Sequence, residues 1–310
     1  MKYFSLYIKG MFMGAADLVP GVSGGTIALI TGIYQELIES INGISWSLIK
    51  NLPKKGIKET WKKANGSFLL SVFGGILTSI LLLSRLLEWL FENEPISLWS
   101  FFFGLLIASI FYLIKRYLTL SPLNIVLLLL GGALSFWSTQ LTGVQNDASL
   151  PYLFLCGFIA ISAMILPGLS GAYLLVILGV YQFILSQVRQ LQETIFNFDF
   201  EQFSALATVL GVFIFGIIVG IKLFSKFLSW LLHRFPQKTI AVLIGLMGGA
   251  LHKVWPWQNS ETVNGLEKTF AVLPQYFNGQ STELGKAFLF ALIGFVLLFL
   301  LENRKGISKT

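Results

Sequence analysis

Six stretches of this chain run almost without charge for the length that a membrane-spanning helix needs: Phe68–Phe91, Ile96–Ile114, Leu123–Leu141, Ala205–Leu232, Thr239–Val254 and Leu284–Leu301. A hydrocarbon core takes roughly 20 apolar residues of helix, and inside it every backbone N–H and C=O must be satisfied within the protein. The expected fold class is therefore an all-α polytopic membrane protein. Composition agrees: 12% of the residues are charged, against about 25% in a soluble domain, and the mean hydropathy is +0.75. The single Cys156 excludes a disulfide framework, and two histidines leave little for a metal site. No metal and no cofactor are expected. Nor is nucleic acid a partner, because no basic region is interleaved with stacking aromatics. The apolar stretch between Lys2 and Lys9 is too short for a signal peptide and no small-residue cleavage site follows, so the chain is expected to insert whole.

Two further apolar regions are broken in the middle. Tyr3–Ile41 is interrupted by Pro20-Gly21-Val22-Ser23-Gly24-Gly25, and Pro151–Val188 by Pro167-Gly168-Leu169-Ser170-Gly171. Setting Pro20 on Pro167 places Gly21, Ser23, Gly24, Gly32, Tyr34 and Gln35 on Gly168, Ser170, Gly171, Gly179, Tyr181 and Gln182 without a gap. Lipid solvation would not select proline, glycine, serine and glutamine twice over, so the chain reads as a duplication with halves 1–145 and 146–310. The match continues more weakly: Gly74 and Arg85 pair with Gly211 and Lys222, and Phe103-Gly104-Leu105 resembles Ile244-Gly245-Leu246.

Loop charges set the topology. The flanks of each break are about 14–17 residues, or roughly 21–26 Å of helix, short for a core of about 30 Å. If each broken region enters and returns on one side, the basic segments fall together: Lys50, Lys54, Lys55, Lys58, Lys62 and Lys63, then Lys115-Arg116, Arg234, Lys238 and the tail with Arg304, Lys305 and Lys309. The acids Glu92, Glu94, Asp147, Glu193, Asp199, Glu201, Glu261 and Glu267 fall opposite. The positive-inside rule then places both termini in the cytoplasm, and the cytoplasmic lysines also attract anionic membrane lipid. Each half is a re-entrant hairpin plus three spans, an odd number of crossings, so the two repeats are inverted. Inverted repeats with broken helices meeting near the midplane are a recurrent transporter plan.

The breaks are the candidate site. Thr26–Glu36 and Tyr173–Ser186 read as helices, whose N-terminal N–H groups, with Ser23 and Ser170 as caps or ligands, suit an anion such as phosphate. Gly24, Gly25, Thr26 and Gly171 stand at those ends; Pro20, Gly21, Pro167 and Gly168 make the breaks. The alternative is a glycine-rich packing contact. Arg85 and Lys222 inside their spans offer charge to the anion, since a cation there is costly without a task; snorkelling to the interface is the alternative for both and the preferred reading of Lys226. Asp17 is a coupling or structural carboxylate. Trp255 and Trp257 read as interfacial anchors. A hydrolase is the remaining class, since Gly21-Val22-Ser23-Gly24-Gly25 matches G-x-S-x-G; that motif needs a preceding strand or a histidine base, and only His233 and His252 exist.

Met13-Gly14-Ala15-Ala16-Asp17-Leu18-Val19-Pro20-Gly21-Val22-Ser23-Gly24-Gly25-Thr26 followed by Gly32-Ile33-Tyr34, with Leu166-Pro167-Gly168-Leu169-Ser170-Gly171 and Leu251-His252-Lys253-Val254-Trp255-Pro256-Trp257, resembles the bacterial polyprenyl-phosphate transporters of the PopT type. The resemblance covers nearly the whole chain. It implies a flippase in the bacterial inner membrane that returns undecaprenyl phosphate from the outer to the cytoplasmic leaflet for cell-envelope glycan synthesis, without covalent chemistry. A small-anion transporter and an intramembrane serine hydrolase are the other readings. A homo-oligomer is compatible with the sequence.

Overall fold

Prolines mark where several helices begin. A proline lacks the N–H that a first helical turn leaves unpaired, and its fixed φ suits that position. In the computed structural model, which describes residues 2–18, 23–44, 52–141, 149–197, 200–263, 266–278 and 281–301, Pro95, Pro122 and Pro236 open three of the apolar helices and Pro151 stands in the first turn of a fourth. The first broken region gives α1 (Lys2–Asp17), α2 (Gly24–Ile30) and α3 (Tyr34–Gly43). A lysine-rich helix α4 (Leu52–Lys63) leads into α5 (Gly66–Asn93), α6 (Pro95–Tyr117) and α7 (Pro122–Ser138). The rest of the chain gives α8 (Leu150–Ile165), α9 (Gly171–Ile177), α10 (Tyr181–Asn197), α11 (Phe200–Arg234), α12 (Pro236–Ala250) and α13 (Leu284–Leu301).

Among the described residues, stretches within α5, α6 and α11 are long and apolar enough to cross a membrane, and α9 with α10 makes a broken apolar pair bent by 109°. Helices α7, α8 and α13 are apolar but shorter. Leucines such as Leu70, Leu77 and Leu81 of α5 stand more than half exposed, which a helix solvated by lipid tolerates and one in water does not. The chain is thus an all-α membrane protein in its spans. It departs from that class at one place: α12 runs into a 3-10 turn, Leu251–Val254, and then a two-stranded antiparallel hairpin, β1 (Gln258–Val263) on β2 (Leu266–Ala271). Trp255 Nε1 donates to Val272 O at 2.7 Å and Trp257 Nε1 to Thr282 O at 2.9 Å. The two tryptophans therefore fasten this hairpin to the start of α13.

Four helix pairs carry most of the packing: α1 on α5, α8 on α11, α6 on α13 and α7 on α12. Each is a glycine-mediated approach of two backbones, the contact that apolar spans use to gain dispersion energy. A Cβ on Gly10 would strike the Val72 carbonyl, and one on Gly157 the Phe213 carbonyl; Gly75 faces Tyr7 O as Gly216 faces Phe154 O. Likewise Gly104 lies on Ala291 O and Gly245 on Leu128 O, while Gly294 lies on Phe101 O and Gly131 on Val242 O. The contacts of one half therefore recur in the other: residues of α5 and α6 map onto α11 and α12 at one constant shift, the one that sets Gly104 on Gly245, while their partners in α1 and α7 map onto α8 and α13 at shifts of their own. This register corrects part of the sequence alignment. Gly75, not Gly74, is the interface glycine answering to Gly216, so Arg85 corresponds to Lys226 and Lys222 to Leu81. Gly74 and Gly211 make no close approach: a Cβ on the first would reach only the Tyr7 ring at 3.9 Å, and one on the second nothing within 4 Å. Matching them rested on identity without a packing constraint behind it.

Candidate functional site

Each broken region folds as a long helix, then after the first break a helix of seven residues and after a second break a further helix. In the first, Ser23 is the N-cap of α2 and its Oγ accepts from Gly25 N at 3.1 Å. Asp17, at the end of α1, reaches across the return, and its Oδ1 accepts from Gly24 N at 2.6 Å. A carboxylate on the positive end of a helix is the favourable arrangement. Pro20 and Gly21 lie outside the described residues. In the second region Ser170 caps α9, accepting from Tyr173 N at 3.4 Å. Here Met164 stands where the first repeat has Asp17, and it is 44% exposed.

The helices expected over 26–36 and 173–186 do not run through. Both break at a glycine with φ of 71°, Gly32 and Gly179. Gly32 N donates to Leu29 O at 3.2 Å and Ile33 N to Ala28 O at 3.0 Å; Gly179 N donates to Val176 O and Val180 N to Leu175 O, each at 3.0 Å. That pair of backward bonds is a Schellman cap, which needs its left-handed glycine. The recurrence of Gly32 and Tyr34 as Gly179 and Tyr181 was its sequence signal. The carbonyls left at the caps are taken by side chains from the entering helices: Lys9 Nζ donates to Thr31 O at 2.6 Å, and Tyr152 OH to Leu178 O at 2.8 Å. Sequence reasoning singled out neither residue.

The two tips are clasped together. Thr26 Oγ1 accepts from Gly168 N at 3.2 Å, and Tyr34 OH donates to Ile165 O at 3.0 Å. Ser23 Oγ lies 3.3 Å from Met164 O and 3.5 Å from Leu166 O, so its one proton serves the tip of the other hairpin. Ser135 of α7 adds a donor to Gly168 O at 3.4 Å. Gly168 has φ of 81° and a Cβ there would lie 2.6 Å from Leu246 O, while a Cβ on Gly25 would lie 2.8 Å from Ile165 O. A side chain at Gly25 would hold the tips apart, and one at Gly168 would push the second tip off α12. Pro167 and Gly168 are buried in the junction.

Beside the clasp is a cavity of about 240 Å³, lined by Asp17, Ser23, Ser170 and Gly171 with Met164 and Leu169 among its apolar walls. The structure thus brings together four of the expected site residues from both halves. Gly24, Gly25 and Thr26 stand in the same junction, with their N–H or hydroxyl groups engaged as described. Lys222 is elsewhere. Its Nζ donates to Ile41 O at 2.9 Å and to Asn42 O at 3.1 Å, where a cation meets the negative end of α3. Arg85 belongs to α5, and its side chain lies outside the described residues. The histidines are committed away from the serines: His252 Nε2 lies 2.7 Å from Thr139 Oγ1 and its Nδ1 2.8 Å from Gly249 O, while His233 contacts Ser229 O and Glu39. A further set gathers beside the second hairpin, with Tyr173 OH donating to Thr139 O at 2.6 Å and Lys253 Nζ 5.0 Å from the Tyr173 ring centre. No repeat or breaker signal marks these residues.

Comparison with known proteins follows the same span of chain. A family described as undecaprenyl phosphate translocase-like matches residues 13–272, which include both breaks. A polyprenyl-phosphate transporter of Vibrio cholerae is 40% identical over 260 residues, covering 84% of this chain and 80% of the relative. A polyprenyl-phosphate transporter of Staphylococcus aureus is 31% identical over 261 residues, covering 80% and 85% respectively. No solved structure matches.

Proposed function

This chain belongs to the undecaprenyl phosphate translocase-like family, and on that premise we propose that it carries a polyprenyl phosphate across the membrane by way of the junction between its two hairpin tips. The observation that carries the reading is the cavity lined by Asp17, Ser23, Ser170 and Gly171, which brings polar groups from both broken regions into an otherwise apolar pocket. The two repeats are inverted, both termini are cytoplasmic, and the tips lie near the midplane; the loop charges and the matched helix pairings support this arrangement. The lipid is undecaprenyl phosphate, returned from the outer to the cytoplasmic leaflet of the bacterial inner membrane for reuse in envelope glycan synthesis, and no covalent step is involved.

A phosphate at that depth must be compensated. Ser170 offers its hydroxyl and Gly171 a backbone N–H; Ser23, Gly24, Gly25 and Thr26, engaged in the clasp, join in when it loosens. Arg85 supplies a planar donor fork to phosphate oxygens. Asp17 would repel a phosphate if both were ionised, so it carries the coupling proton or cation that enters with the lipid. Lys222 braces α3.

The test is leaflet transfer of labelled undecaprenyl phosphate by the purified chain in liposomes, with uptake of inorganic phosphate measured in parallel. Lipid transfer that falls in Ser170→Ala and Asp17→Asn at matched protein levels is the expected outcome. Uptake of inorganic phosphate without lipid transfer would replace this reading with a small-anion transporter.

A further inference from the structure

We propose that two apolar grooves, one reaching each face of the membrane, hold the isoprenoid tail of the translocated lipid before and after its phosphate passes the hairpin tips. The inference rests on the reading above and adds to it where the tail goes. The first groove, of about 860 Å³, lies among α1, α5, α6 and α13. The second, of about 400 Å³, lies among α7, α11, α12 and the second break. Both are of the size that specific ligands occupy.

The grooves are counterparts. Leu87, Phe101 and Leu105 line the first, and Leu228, Val242 and Leu246 line the second. These are the positions that the glycine contacts make equivalent between the halves. A chance gap in packing has no reason to occur twice in one register. Each groove also has the same reach. From Glu94, at the turn between α5 and α6, to Leu105 is a helical rise of about 16 Å; from Phe235, at the turn between α11 and α12, to Leu246 is the same. That is half of a core of about 30 Å, so each groove runs from one face to the midplane and together they cover the thickness.

The inner ends meet the hairpins. The first groove touches Ala15 and Ile27, on either side of the first return. The second touches Leu166 and Leu169, and Leu169 also lines the polar cavity at the tips. A pocket with polar groups that shares the wall residue Leu169 with an apolar trough suits an amphiphile with a small anionic head and a long tail; a free anion would use only the pocket. The outer ends differ in charge. Lys286 at the first is held by Glu94 at 3.3 Å and Glu283 at 3.2 Å, whereas at the second Lys238 lies over the Phe235 ring at 5.2 Å. The basic rim thus belongs to the face that carries the basic loops, and the second groove is the cytoplasmic one.

Photo-crosslinking tests this with the full chain in liposomes of phosphatidylglycerol and phosphatidylethanolamine. The probe is a polyprenyl phosphate with a diazirine in its tail, and labelled peptides are mapped by mass spectrometry. Label is expected in both grooves, around Leu87–Phe101 and Leu228–Val242, and it should fall about tenfold with excess unlabelled undecaprenyl phosphate but not with phosphatidylglycerol or inorganic phosphate. Leu87→Trp and Leu228→Trp should each slow lipid transfer by about tenfold or more. Label confined to one groove, spread over exposed residues such as Leu77 and Leu81, or removed equally by phosphatidylglycerol would overturn the tail grooves while transfer by the unaltered chain upholds the transport reading. Loss of transfer in the unaltered chain would instead overturn transport itself.

Discussion

Thr26→Val tests whether the hairpins are held together by the bonds described. Valine keeps the shape of threonine and removes the oxygen that accepts from Gly168 N at 3.2 Å. Thr26 is fully buried and Gly168 is buried with it, so no water replaces the lost partner. An unpaired buried N–H costs about 1–3 kcal/mol. The bond is at the long end of the usual 2.7–3.2 Å range, which favours the lower part of that range, about 1–2 kcal/mol. This corresponds to roughly a 5- to 30-fold change in the local opening equilibrium. Hydrogen exchange followed by mass spectrometry, on protein in lipid nanodiscs, should show the amides of the Leu166–Gly171 segment exchanging faster by that factor, with the cores of α5 and α11 unchanged. Thr26→Ser keeps the acceptor and should restore protection. Unchanged exchange at Gly168 in the valine variant would refute the clasp.

Gly168→Ala should lower the yield of folded protein, because it places a side chain at φ of 81° and 2.6 Å from Leu246 O; size-exclusion chromatography of the solubilised protein reads this, and a normal profile would count against the close approach. Asp17→Ala, which leaves Gly24 N without its 2.6 Å acceptor, should reduce thermal stability by about 1–3 kcal/mol, and Asp17→Asn by less, since an amide oxygen still accepts; equal losses would show that the hairpin does not depend on this bond. Lys222→Gln should loosen the end of α3 and lower the melting temperature while lipid transfer per folded molecule persists, because Lys222 donates to Ile41 and Asn42 carbonyls; loss of transfer with unchanged stability would return Lys222 to the phosphate site. Cysteines at exposed Lys58 and Thr269, on a Cys156→Ser background, should be labelled from the cytoplasmic and the outer side respectively; labelling from one side would overturn the inverted arrangement.

Several features were legible in the linear sequence because their causes are local. Apolar runs bounded by Pro95, Pro122 and Pro236 marked helices within a few residues of where they lie, since burial of the backbone in lipid and the missing proline N–H act over one or two turns. The duplicated breaks were legible too, because a residue such as Gly168, at φ of 81° in a close approach, tolerates little substitution. Ser23 and Ser170 were recognisable as caps for the same reason: each bonds an N–H within three residues.

Tertiary structure decided which of these residues meet. The partner of Thr26 is Gly168, and that of Tyr34 is Ile165, contacts between segments more than a hundred residues apart. Nothing in local periodicity ranks one such partner over another. The same limit misplaced Lys222, which looked like a charge for an anion until α11 packed on α3 and offered it the carbonyls of Ile41 and Asn42. It also set Gly74 against Gly211, where identity suggested a match; the true register came only from which glycines sit on a carbonyl of the facing helix. A chain records its own turns and caps, because those bonds close within a few residues. The surfaces it will press together are chosen by shape over the whole assembly, and in this protein the polar cavity exists only where two such surfaces meet.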